Sequence, residues 1–259
     1  MLKILAIGNS FSEDAMAHLY YIAKDYGFKE IVLGNLFIGG CSLEMHWDNA
    51  SNNNESYIYF KNVKGKWTAR FDKDMRYGIQ DEKWDIITLQ QASGLSGIES
   101  SYDGYLTKLA EYIKNTTNKP GVKLAWHMTW AYQSDSSHED FPAYNMDQMT
   151  MYNSIITAVR HKISDNKDFD IIIPSGTAIQ NVRTSSLGDT LTRDGFHLSL
   201  NIGRYIAGLT WFAAITGCPI DSISYVPDKK EIPGKYLPFI KEAVNAAISR
   251  PFSITKSNS

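Results

Sequence analysis

Ser10, Asp194 and His197 are the side-chain types that a nucleophile, its orienting acid and its base require, and they occur in that order Ser, Asp, His along a chain of 259 residues. A serine hydroxyl attacks poorly at neutral pH unless an imidazole takes its proton, and the imidazole needs an acid to hold it. Asp194 and His197 lie three residues apart in Asp194-Gly195-Phe196-His197, a short turn that lets both side chains face the same way. Ser10 stands in Gly8-Asn9-Ser10-Phe11-Ser12, directly after the apolar run Leu2 to Ile7. Each residue alone has a plainer reading: a loop hydroxyl, a core or surface histidine, an Asp-Gly turn. Together they predict acyl transfer through an acyl-serine, with hydrolysis of an ester.

Acyl transfer also needs donors aimed at the oxyanion, each worth roughly 10² to 10³ in rate. The backbone N–H of Ser10 is one candidate. Gly39-Gly40, just after the second predicted strand, offers another, with Gly40 the chosen donor. Gln90, at the end of the third predicted strand, could contribute a side-chain amide, with Gln91 as the competing choice.

The elements that must position these residues are legible as five β-rich runs: Lys3 to Ile7, Ile31 to Phe37, Asp85 to Leu89, Val122 to Trp126 and Phe169 to Ile173. Most carry apolar residues at consecutive positions, as strands covered on both faces do. Helical stripes lie between them. Ser12 is the predicted cap of a helix that carries Met16, Leu19, Tyr20 and Ala23 inward and stops at Gly27. Further stripes are Tyr102, Tyr105, Leu106, Leu109 and Ile113; Met149, Tyr152, Ile156, Val159 and Ile163; and Ile202, Ile206, Leu209 and Ala213. This alternation predicts a three-layer α/β domain with a parallel sheet, whose ligands collect at the carboxyl ends of the strands.

Two connections exceed what a crossover needs. The segment from about Asp48 to Lys83 holds Asn49, Asn52, Asn53 and Asn54, then Tyr57 to Phe60, a Lys64-Gly65 turn and Trp67 to Phe71, and predicts an inserted β-hairpin. The segment from Met128 to about Asn145 carries Trp130, Tyr132, Ser134, Asp135, His138 and Tyr144 and predicts a lid or specificity loop. Residues 1–250 read as one domain with the insertion at about 48–83, and 251–259 as a frayed tail.

The motif blocks resemble the SGNH superfamily of GDSL-type esterases and lipases. Gly8-Asn9-Ser10-Phe11-Ser12 is similar to its serine block, with Asn9 where the family often has Asp. Gly39-Gly40-Cys41-Ser42-Leu43-Glu44 resembles its glycine block, particularly in carbohydrate acetylesterase branches, and Asp194-Gly195-Phe196-His197 resembles its final block. Leu89-Gln90-Gln91-Ala92-Ser93 lacks the family's asparagine; sialate acetylesterase-like members have glutamine in this region, which puts Gln90 in the donor's place. The resemblance implies a flavodoxin-like α/β/α fold with a five-stranded parallel sheet. It also implies removal of a small acyl group, acetyl, from a carbohydrate ester without a cofactor.

Composition narrows the partners. Acidic and basic residues nearly balance, at 28 against 26, so the broad positive field of a nucleic-acid or anionic-membrane binder is not predicted. No apolar run approaches the roughly 18 residues of a membrane span. The sequence as written reads as cytoplasmic, or as periplasmic or secreted if a leader precedes it. Cys41 and Cys218 read as small buried apolar residues. His46 with Asp48, or His127 with His138, lack a recognised ligand spacing, so no metal is predicted. His18 and His161 read as polar-face helix residues, and Trp47, Trp67, Trp126 and Trp130 as core or as faces for sugar stacking. The expected partner is a small-molecule or glycan ester. The competing reading is a non-catalytic glycan- or anion-binding protein on the same fold.

Overall fold

The computed structural model describes residues 1–257. Its strands are β1 (Leu2–Gly8), β2 (Ile31–Phe37), β3 (Tyr57–Val63), β4 (Lys66–Lys73), β5 (Ile86–Leu89), β6 (Lys123–His127) and β7 (Ile171–Ile173). They form one sheet in the order β4-β3-β2-β1-β5-β6-β7. The run β2-β1-β5-β6-β7 is parallel and has the flavodoxin-like strand order. Ile4, Leu5, Ala6 and Ile7 are all fully buried, which explains why β1 is apolar at consecutive positions rather than alternate ones.

The inserted hairpin is present, and it corrects the strand count. β3 pairs antiparallel with β2, from Val32 opposite Val63 to Phe37 opposite Ile58, and β4 pairs with β3. Seven strands therefore share the sheet among the described residues, against the five predicted. Without β3, the edge of β2 would present a row of unpaired N–H and C=O groups. β4 becomes the new edge, and its exposed Lys66, Thr68 and Arg70 discourage further pairing. Lys64 and Gly65 turn the hairpin with φ of 57° and 82°, the left-handed pair that a two-residue type I′ turn demands.

The predicted helix after β1 is two helices, α1 (Ser10–Met16) and α2 (Leu19–Tyr26). Asn9, not Ser12, caps α1: its Oδ1 accepts from the Phe11 amide at 3.0 Å. Ser12 is fully buried, and its hydroxyl donates to the Asn9 carbonyl at 2.7 Å. The Asn-rich stretch is also helical, closing α3 (Leu43–Asn52), which Ser42 caps and Asn53 ends at φ 52°. The remaining helices are α4 (Met75–Gln80), α5 (Leu106–Thr116), α6 (Gln148–Val159, continued by a π turn), α7 (Ser175–Arg183), α8 (Ile202–Thr216) and α9 (Leu237–Ser249).

Helices α1, α2, α7, α8 and α9 pack together, and α3, α4 and α5 pack together, as the two outer layers of an α/β/α domain. α8 is buried around most of its circumference because α1 and α2 meet it on one side and α7 and α9 on another. Residues 251–257 do not fray. Thr177 donates to the Pro251 carbonyl, and the Thr255 amide donates to Asn181, which lays this segment along α7. Residues 258–259 lie outside the described residues.

Candidate active site

β1 delivers Ser10 to the carboxyl end of the sheet, and the loop between α7 and α8 delivers Asp194 and His197 to the same place. Ser10 Oγ lies 2.7 Å from His197 Nε2, and His197 Nδ1 lies 2.7 Å from Asp194 Oδ2. A carboxylate oxygen only accepts, so Nδ1 carries the proton and Nε2 is free to accept from the serine hydroxyl. The Asp194 Oδ1 atom accepts from the His197 amide at 2.7 Å and the Phe196 amide at 3.3 Å. Burial alone would raise the Asp194 carboxyl, but hydrogen bonds from the His197 ring and these amides outweigh it and hold its pKa below the usual carboxylate range.

A cavity of about 290 Å³ opens over Ser10, lined by Asn9, Ser10, Gly39, Gly40, Ser93 and His138 with Phe11, Phe196 and His197. The amides of Ser10 and Gly40 have no hydrogen-bond partner among the described residues. Both are therefore available to an oxyanion.

Gln90 does not reach this cavity. It is 1% exposed, its Nε2 donates to Asn9 Oδ1 at 2.8 Å, and its Oε1 accepts from His127 Nδ1 at 2.9 Å. His127 Nε2 in turn meets Ser175 Oγ at 3.1 Å, and Asn9 Nδ2 donates to the Cys41 carbonyl at 3.2 Å. The predicted oxyanion donor is thus a brace behind the serine turn, tying the ends of β1, β5 and β6 to the loop after β2. Gln91 is equally committed: its Oε1 accepts from the amides of Leu43 and Ala92, and its Nε2 donates to Ser101.

The model of the family described as a domain of unknown function, DUF4886, matches residues 3–244. The chain belongs to the DUF4886 family. A DUF4886 family protein from Bacteroides uniformis ATCC 8492, known from a crystal structure, is 42% identical with a TM-score of 0.93, over 98% of this chain and 97% of that one. A mutant of Axe2, an acetyl-xylooligosaccharide esterase from Geobacillus stearothermophilus, superimposes with a TM-score of 0.50 at 12% identity, over 83% of this chain and 94% of that chain. That likeness is one of fold. No match is found among curated proteins.

Several residues that hold the site of this DUF4886 protein escape a reading of the sequence. Asp14, fully buried on α1, pairs with Arg193 Nη1 at 3.0 Å and Arg204 Nη2 at 2.7 Å, and accepts from the Leu198 amide at 2.8 Å. It fastens the strand-like flanks of the Asp194–His197 turn to the helix that carries Ser10. Arg193 also donates to the Leu198 carbonyl, across the base of that turn. On the other side, Trp130 stacks on Phe11 at 4.3 Å and donates its indole N–H to the Phe196 carbonyl at 2.7 Å. The Gln133 amide donates to the Gly195 carbonyl at 2.7 Å, and Gly195 itself sits at φ 90° against Ser136, where a side chain would be strained and crowded. The segment after β6 is therefore chiefly a brace; only His138 of its predicted polar residues lines the cavity.

The other candidates separate by burial. Trp126 and Trp130 are fully buried and unavailable for sugar stacking, whereas Trp67 is half-buried on β4. His46 and His127 are fully buried apart from each other's surroundings, and burial pushes each pKa down to about 3. Burial also pushes the Cys41 thiol up to about 12. Among the described residues no group of three or more His, Cys, Asp or Glu side chains is arranged to hold a metal ion.

Proposed function

We propose that this protein is a serine ester hydrolase that removes a small acyl group, acetyl, from a carbohydrate ester. The observation that carries the reading is the unbroken hydrogen-bonded chain from Ser10 through His197 to Asp194, at the mouth of a cavity with two unpaired amides. Ser10 Oγ bonds to the ester carbonyl carbon while its proton passes to His197 Nε2, and the carbonyl electron pair moves onto oxygen. The amides of Ser10 and Gly40 stabilise that oxyanion. As the tetrahedral intermediate collapses, the bond to the alcohol breaks and His197 gives its proton to the departing oxygen. Water then repeats the sequence on the acyl-serine, its proton going to His197 and then back to Ser10. Asp194 remains ionised throughout and fixes the ring.

The small cavity favours a short acyl group, and the chain's near-neutral charge suits an uncharged substrate. Hydrolysis of p-nitrophenyl acetate tests the proposal. Ser10→Ala and His197→Ala lower kcat/KM by roughly 10⁴-fold or more, and Asp194→Asn by about 10³ to 10⁴. Equal slow rates in wild type and all three variants would rule it out.

A further inference from the structure

A second cavity, of about 370 Å³, is lined by Glu13, Met16, Asn35, Phe60, Trp67 and Arg204 among others. Glu13 is one helical turn beyond Ser10 on α1, and side chains three apart on a helix are neighbours about 5–6 Å apart at Cβ. Asn35 lies on β2, the strand that leads into Gly39-Gly40. No residue lines both cavities, but each takes residues from α1 and from β2 or the loop that follows it: Ser10 and Gly40 in the first, Glu13 and Asn35 in the second. We propose that the second cavity binds a pyranose ring of the leaving alcohol while the acyl group occupies the first. This rests on the acyl-transfer reading above and names the part of the substrate that the Ser10 cavity does not hold.

The chemistry of the lining argues for a sugar. A pyranose has an apolar C–H face and a rim of hydroxyls, so its site needs an aromatic wall and a few polar groups that both donate and accept. Phe60 and Trp67 supply the wall: Phe60 pairs with Ala69 and Trp67 with Asn62, which sets both rings on one face of the hairpin. Trp67 is held at one edge of the sheet by the Tyr21 hydroxyl, which donates to the Gly65 carbonyl and anchors the hairpin turn to α2.

The polar groups are equally specific. Asn35 is 1% exposed; one end of its amide meets Ser12 Oγ at 3.1 Å, and the other end has no partner among the described residues. Because Asn35 lines the cavity, that end can pair with a ligand hydroxyl. Glu13 keeps its carboxylate about half exposed, 4.0 Å from Arg204, so it remains an acceptor for a hydroxyl. An acyl chain would satisfy none of these groups.

The test compares sugar acetates with esters that carry no sugar. Wild type, Trp67→Ala and Glu13→Gln are assayed on xylose tetraacetate, glucose pentaacetate, p-nitrophenyl acetate and p-nitrophenyl octanoate, with thermal melts to verify folding. The proposal predicts that the ratio of kcat/KM on sugar acetates to that on p-nitrophenyl acetate falls about tenfold in each variant, chiefly through KM. An unchanged ratio overturns it, and so does a selective loss on the octanoate, which would make the cavity an acyl-chain pocket.

A binding measurement keeps the two proposals separable. Methyl xyloside and methyl glucoside are titrated into the Ser10→Ala protein, and the side-chain N–H resonances of Trp67 and Asn35 are followed by NMR. Saturable shifts at both support the sugar site even if wild type hydrolyses no ester. No shift at either residue with both glycosides overturns it, whatever the fate of the esterase reading.

Discussion

At the scale of single residues, the candidate site consists of a short line of groups proposed to react and a longer line that fixes them. Ser10, His197 and Asp194 were legible because each announces itself locally: the serine follows a buried strand at once, and the acid and base share one turn. Gln90 was not, because the role of a buried amide depends on which atoms three other segments bring to it. Its two ends meet Asn9 and His127, so Gln90→Leu strands the His127 ring N–H and leaves Asn9 Oδ1 with the Phe11 amide alone. Leaving such groups unpaired costs about 1–3 kcal/mol each. Denaturant unfolding of Gln90→Leu is expected to show at least that loss, with kcat lowered further because Asn9 caps the serine helix. Wild-type stability and wild-type kcat together would refute the brace.

At the scale of elements, α1 and the Asp194–His197 turn are 184 residues apart in sequence at the Asp14–Leu198 contact and yet must hold a 2.7 Å hydrogen bond. The buried carboxylate of Asp14, with Arg193 and Arg204, is the fastening. Asp14→Ala removes the shared carboxylate from two partly exposed guanidinium groups and from the Leu198 amide, and is expected to cost about 1–3 kcal/mol, measured by urea denaturation. A loss below 1 kcal/mol would show that the turn is held by Trp130 and Gln133 instead. In sequence, a carboxylate near the start of a helix reads as a partner of the helix dipole, which gives no sign that Asp14 is buried. Its burial depends on α8, whose Arg204 arrives from the far end of the chain. The hairpin shows the same division: Lys64-Gly65 marks its turn, whereas its addition to the edge of β2 depends on which strand is left unpaired.

At the scale of the whole molecule, the five parallel strands follow from apolar runs, their flavodoxin-like arrangement from the family resemblance, and the outer layers from helical stripes. What sequence patterning leaves open is how those layers bury polar groups. His46 and His127 are held neutral by burial, their pKa values near 3 against about 6.5 for an exposed histidine. Between about pH 6.5 and 3 the unfolded chain binds protons at these positions that the folded chain does not. Stability therefore falls as pH drops through that window, by up to about 1.4 kcal/mol per pH unit for each histidine. Thermal melts from pH 7 to 4 are expected to fall less steeply for His46→Phe than for wild type; parallel curves would contradict the assignment.

The proposed acyl transfer makes one demand that precedes any choice of substrate: the Ser10 hydroxyl must be a nucleophile. A fluorophosphonate probe followed by peptide mass spectrometry measures this directly. One covalent adduct is expected, mapped to Ser10 and lost in His197→Ala. An unlabelled Ser10 in folded wild-type protein, or labelling that persists at full rate without His197, would contradict it.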